Sequence, residues 1–183
     1  QTFNWNAYPT NGASWVSSPT FSVTKATAGG GSFDVRSSSA AGNSPVSATT
    51  GDVAQNCGTY AGLRLEMSGA GNGAGTAVWN NSITVTLNFP TDLCAPVTFN
   101  IYDVTETFYT GGPNYVYYQD KVIISALDNT STAVIPGAAA VGGIDNTVVG
   151  NTRVLVANGT TAQCMNQAIT VGVVGQKIRQ ITI

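Results

Sequence analysis

The sequence predicts an all-β protein: a two-sheet β-sandwich, jelly-roll-like, with long loops and at most a helical turn. Three observations predict it. Apolar and polar residues alternate at period two in short runs, as in SITVTLNF (82–89), which is the signature of a half-buried strand. Gly, Pro and Asn punctuate those runs, at Asn11-Gly12, Pro136-Gly137, Gly150-Asn151 and Asn158-Gly159, where turn geometry favours them. No stretch sustains apolar residues at i, i+3, i+4 and i+7, so no long helix is expected. Many short strands with such turns bury themselves as packed sheets. The length suits a single domain, 1–183, with a proper core.

Residues 1–25 read as strand, turn, strand, with Trp5, Tyr8, Trp15, Phe21 and Val23 broken by Pro9, Asn11-Gly12 and Pro19. Gly29-Gly30-Gly31 precedes a short strand at Ser32–Arg36. The Ser/Ala/Thr/Gly-rich stretch 37–55 reads as a surface excursion with room for one edge strand around Val46. Strand signal returns over Gly58–Met67, and GAGNGAG (69–75) reads as a mobile hairpin loop rather than a phosphate cradle, because no GK[ST] and no helix pattern follow it. Ser82–Phe89 alternates cleanly and Pro90 ends it. Later strands are expected at Thr132–Ile135, Val141–Val149, Arg153–Ala157, Ala168–Val174 and Lys177–Ile183.

Between these halves lies the stretch on which function turns, Ala95–Leu127. APVTFNIYDV puts Val97, Phe99 and Ile101 on one strand face, and DKVIISAL puts Val122 and Ile124 on the same face as Asp120. A long loop, Thr105–Gln119, joins the two strands. If they pair as an antiparallel hairpin, Asp103 and Asp120 meet at one end of the sheet, with Glu106 beside them. Calcium is the cation such oxygens take, since it accepts six to eight carboxylate and carbonyl ligands. The alternative is that Asp103 and Asp120 accept hydrogen bonds from loop amides. The loop also carries Phe108, Tyr109, Tyr115, Tyr117 and Tyr118 around Gly111-Gly112-Pro113-Asn114. Tyr rings offer a flat apolar face with a polar edge, suited to sugars and peptides. Phe108, Tyr109, Asn114 and Tyr115 are therefore the candidate ligand-binding residues, the alternative being that Tyr115 and Tyr117 continue the next strand and pack inward.

Composition narrows the function classes. Charged residues are 9% of the chain, against roughly 25% in an ordinary soluble protein. A neutral surface of hydroxyls and amides suits an extracellular or cell-surface protein. Gln1-Thr2-Phe3 reads as a mature N-terminus left by a removed signal peptide. No basic run exists, which argues against nucleic acid as a partner, and no apolar stretch is long enough to insert in a membrane as a helix. Histidine is absent, removing the commonest general base and the Ser-His and Cys-His pairs. Three cysteines allow one disulfide, expected between Cys94 and either Cys57 or Cys164.

SITVTLNFP (82–90), APVTFNIYDV (95–104), YQDKVIISAL (118–127) and AITVGVVGQKIRQITI (168–183) occur in that order. Their succession resembles the extracellular β-sandwich, adhesin-like domains of Bacteroidetes-type secreted and surface proteins. The resemblance covers about half the chain, mainly its second half; it departs at Val104-Thr105, where that pattern has a second acid after Asp103. It implies a non-enzymatic surface or adhesion module, not an enzyme, binding a glycan or a surface protein. A structural subunit that joins copies of itself into a filament by strand exchange is the alternative. A glycoside hydrolase working through a carboxylate pair ranks behind both.

Overall fold

The structure, a computed structural model, describes residues 21–26, 32–39, 45–52, 61–67, 83–102, 104–109, 116–158 and 166–183. These residues are all-β and antiparallel, with no helix among them. The strands expected in residues 1–20 and the Gly69–Gly75 loop lie outside them. The chain divides into two compact units: Gln1–Gly69 with Asn81–Thr91, and Ala70–Asn80 with Asp92–Ile183.

In the first unit β1 (Phe21–Ala26) pairs with β2 (Ser32–Ser39), and β2 pairs with the first half of β5 (Ile83–Cys94). β3 (Pro45–Asp52) and β4 (Ala61–Met67) form a separate pair. β3 is the edge strand expected around Val46, and it extends from Pro45 to Asp52. Pro90 does not end β5, which runs on to Cys94. Its pairing with β2 spans Ile83 to Asn88, so Pro90 falls beyond that ladder and its missing N–H breaks no bond to β2.

The second unit holds two antiparallel sheets, each with one buried face, the arrangement of a β-sandwich. One contains β9 (Lys121–Asp128), β13 (Thr152–Ala157), β12 (Ile144–Val149) and β15 (Lys177–Thr182), in the order β15-β9-β13-β12, with β10 (Ala133–Val134) beside β9. The other contains β11 (Gly137–Ala138), β14 (Asn166–Val171) and β6 (Val97–Tyr102), in the order β11-β14-β6. Period-two burial is clearest on β14, where Gln167, Ile169 and Val171 are fully buried between exposed neighbours. Ile124 and Ala126 of β9, Leu155 and Ala157 of β13, and Ile178 and Ile181 of β15 complete the core. Ile178 and Ile181 stand three apart, yet both face inward, because a register shift between Ile178 and Gln180 resets the alternation.

Two expectations about this half are corrected. The strands flanking the long loop do not pair with each other: β6 joins β14 in one sheet and β9 joins β13 and β15 in the other. And β14 stops at Val171 rather than Val174, because Gly172 turns the chain out at φ 75°. Val173 and Val174 follow in a tight turn and are 71% and 87% exposed.

Candidate functional site

The segment between β6 and β9 was expected to be one long loop. It carries a hairpin instead, β7 (Glu106–Tyr109) with β8 (Val116–Gln119), and among the described strands these two pair only with each other. The register sets Glu106 opposite Gln119, Thr107 opposite Tyr118, Phe108 opposite Tyr117 and Tyr109 opposite Val116. Asn114 and Tyr115 lie outside the described residues, as does Asp103.

Apart from Asp120, the neck of this hairpin is built from residues whose roles the sequence did not disclose. Val104 and Thr105 are buried, 2% and 7% exposed. The Asp120 amide donates to the Thr105 carbonyl at 2.8 Å. In return, the Thr105 amide and hydroxyl donate to Asp120 Oδ2 at 3.0 and 3.2 Å. Gln119 Nε2 donates to the Ala157 carbonyl at 2.6 Å, and the Ala157 amide donates to the Asp120 carbonyl at 3.1 Å. The two chains of the neck are therefore tied to each other and to the end of β13. Asp120 acts here as an acceptor for a loop amide, the second of the two roles open to it on sequence. Glu106, the next candidate ligand, begins β7 one residue after Thr105, at half-buried depth. No group of three His, Cys, Asp or Glu residues gathers among the described residues.

Cys94 is exposed and has no disulfide partner among the described residues; Cys57 and Cys164 lie outside them.

Two further polar clusters support the second unit. Asp128 closes the β9–β10 turn: its Oδ1 accepts from the Thr130 hydroxyl at 2.7 Å, the Thr130 amide at 2.8 Å and the Thr132 amide at 2.9 Å. The Thr130 hydroxyl most of all, then the Thr132 amide, hold this carboxyl below the usual range; the Thr130 amide adds a smaller push the same way, against a slight upward push from desolvation. The other cluster clasps the segment 136–139. Arg153 Nε donates to the Pro136 carbonyl at 2.8 Å and its Nη1 to Asn146 Oδ1 at 3.0 Å. Asn146 Nδ2 donates to the carbonyls of Ala138 and Ala139 at 3.0 and 3.2 Å. From the other sheet, Gln167 Nε2 donates to the Ala139 carbonyl at 2.7 Å, while its buried Oε1 has no hydrogen-bond partner among the described residues.

The geometry is that of a hairpin anchored at its neck, on the segment that leads from β6 in one sheet to β9 in the other. No family model, curated protein or solved structure matches this chain at a significant level.

Proposed function

We propose that this chain is a non-enzymatic extracellular module that binds a glycan or a protein surface through the β7–β8 hairpin. The observation that carries the reading is the neck: reciprocal bonds between Thr105 and Asp120 tie together the two ends of a hairpin whose strands include Phe108, Tyr109, Tyr117 and Tyr118. An anchored aromatic ladder loses little conformational entropy when it meets a partner. Aromatic rings supply stacking area with a polar edge. The absence of histidine and the 9% charged content favour recognition over catalysis. Residence outside the cell belongs to the same reading, as does a calcium ion shared by Asp103, Glu106 and Asp120. Binding to a panel of immobilised glycans and to whole-cell surfaces tests it. Phe108→Ala combined with Tyr109→Ala is expected to lose most of the parent's binding while its Tm stays within a few degrees. A double variant that binds like the parent would refute it, as would a parent that binds neither surface.

A further inference from the structure

The sheet β15-β9-β13-β12 ends, among the described strands, on β12. Natural edge strands are commonly blunted by Lys, Pro or a bulge. β12 has none of these. Its sequence IDNTVV holds one charge, Asp145, and its register with β13 is unbroken from Ile144–Ala157 to Val149–Thr152. Val148 and Val149 are 47% and 60% exposed, and as successive residues they stand on opposite faces of the sheet.

The backbone fixes which groups this edge offers. Gly150-Asn151 forms a two-residue turn with Gly150 at φ 58°, as a type II′ hairpin requires of its first central residue. Val149 and Thr152 are then the hydrogen-bonded pair that closes the hairpin. Since such pairs alternate, Thr147 and Asp145 also direct their N–H and C=O groups to β13. Those of Asn146 and Val148 point away from it. Ile144 is the third residue of that outward set, and its amide already donates to the Val141 carbonyl.

We infer that β12 is a self-recognition edge: two copies of the chain join their β12 strands antiparallel about a two-fold axis at Thr147. This register sets Asn146 of each copy opposite Val148 of the other, so the outward groups of both residues exchange hydrogen bonds. It sets Asp145 opposite Val149, which keeps the two carboxylates apart and covers an exposed valine in each copy. An axis at Asp145 would satisfy the same hydrogen-bond alternation but would bring the two carboxylates face to face. The pairing is isologous and therefore closed. It gives a dimer with a continuous sheet across both copies, not the open filament of strand exchange.

Thr147 is the test position, because it would face its own copy in a non-hydrogen-bonded pair. Its Cα atoms would lie about 4.5 Å apart, within the range that a disulfide spans. In full-length chain carrying Cys94→Ser, Thr147→Cys is expected to form a reducible covalent dimer under mild oxidation. It should do so roughly tenfold or more faster than Val149→Cys, whose thiols would sit four residues out of register. Sedimentation of the parent should show a monomer–dimer equilibrium that Val148→Lys shifts to monomer with its melting transition retained. A parent that stays monomeric to its solubility limit overturns the inference. So does cross-linking at Val149 as fast as at Thr147.

Discussion

Gly172 ends β14 at φ 75°, and a Cβ added there would lie 2.7 Å from the Ala95 Cβ and 3.0 Å from Ile178 Cδ1. Gly175, three residues on, has φ 89° but nothing within 4 Å of such a Cβ. The two glycines therefore separate backbone strain from steric exclusion. Gly175→Ala is expected to cost about 1–2 kcal/mol, the left-handed penalty alone. Gly172→Ala should cost clearly more in urea unfolding, and Ala95→Gly should return part of the difference. Asp120 separates two chemistries in the same manner. Asp120→Ala removes the acceptor for the Thr105 amide and hydroxyl and is expected to cost about 1.5–3 kcal/mol, whereas Asp120→Asn keeps an acceptor and should cost about half as much. If Asp120 acts only as that acceptor, the Asn variant melts alike in calcium and in chelator. A deficit confined to calcium would instead make Asp120 a cation ligand with Asp103 and Glu106.

The clasp around 136–139 shows how elements of the two sheets share one connecting segment. Arg153→Ala deprives the Pro136 carbonyl and Asn146 of their donors and is expected to cost about 1–3 kcal/mol. Gln167→Leu should be milder, within about 1 kcal/mol, because it removes a buried oxygen that has no partner among the described residues while Ala139, at the surface, can turn its carbonyl to water. Denaturant midpoints of the two variants test that order. Strand positions in this half were legible because β6 and β14 alternate at period two, and the Gly150-Asn151 turn announced itself by residue type. Pairing was not legible. APVTFNIYDV and DKVIISAL look like partners since they are neighbours in sequence, yet β6 finds β14 more than sixty residues away in the chain. Alternation tells which side of a strand is buried and is silent on which strand lies beside it. The hairpin was hidden for a related reason: ETFY and VYYQ are each four residues long, too short for periodicity to show. Thr105 drew no notice because a threonine that bonds a carboxylate fifteen residues away carries no local mark.

Across the whole molecule, the scarcity of charge sets the response to pH. With no histidine in the chain, no side chain with an ordinary pKa titrates between about pH 5 and 8, so Tm is expected to be level across that window. The acid limb is different. Asp128 has its carboxyl lowered in the folded state, so its contribution is fully present above the ordinary carboxylate value, about 3.9. It is lost as pH falls through the lower folded value. The gap in Tm between the parent and Asp128→Asn should therefore be constant from neutral pH down to about 4 and close below it. A gap unchanged in strong acid would assign the turn's stability to something other than the ionised carboxylate.

The neck at Thr105 and Asp120 has a consequence for how this chain can diversify. The bonds described at the neck run among Thr105, Gln119, Asp120 and Ala157, through main-chain groups and the side chains of the neck itself. None of their donors or acceptors belongs to the residues from Thr107 to Tyr118. The hairpin is in that sense a cassette seated in a fixed socket, where substitution leaves the donors and acceptors of the socket in place.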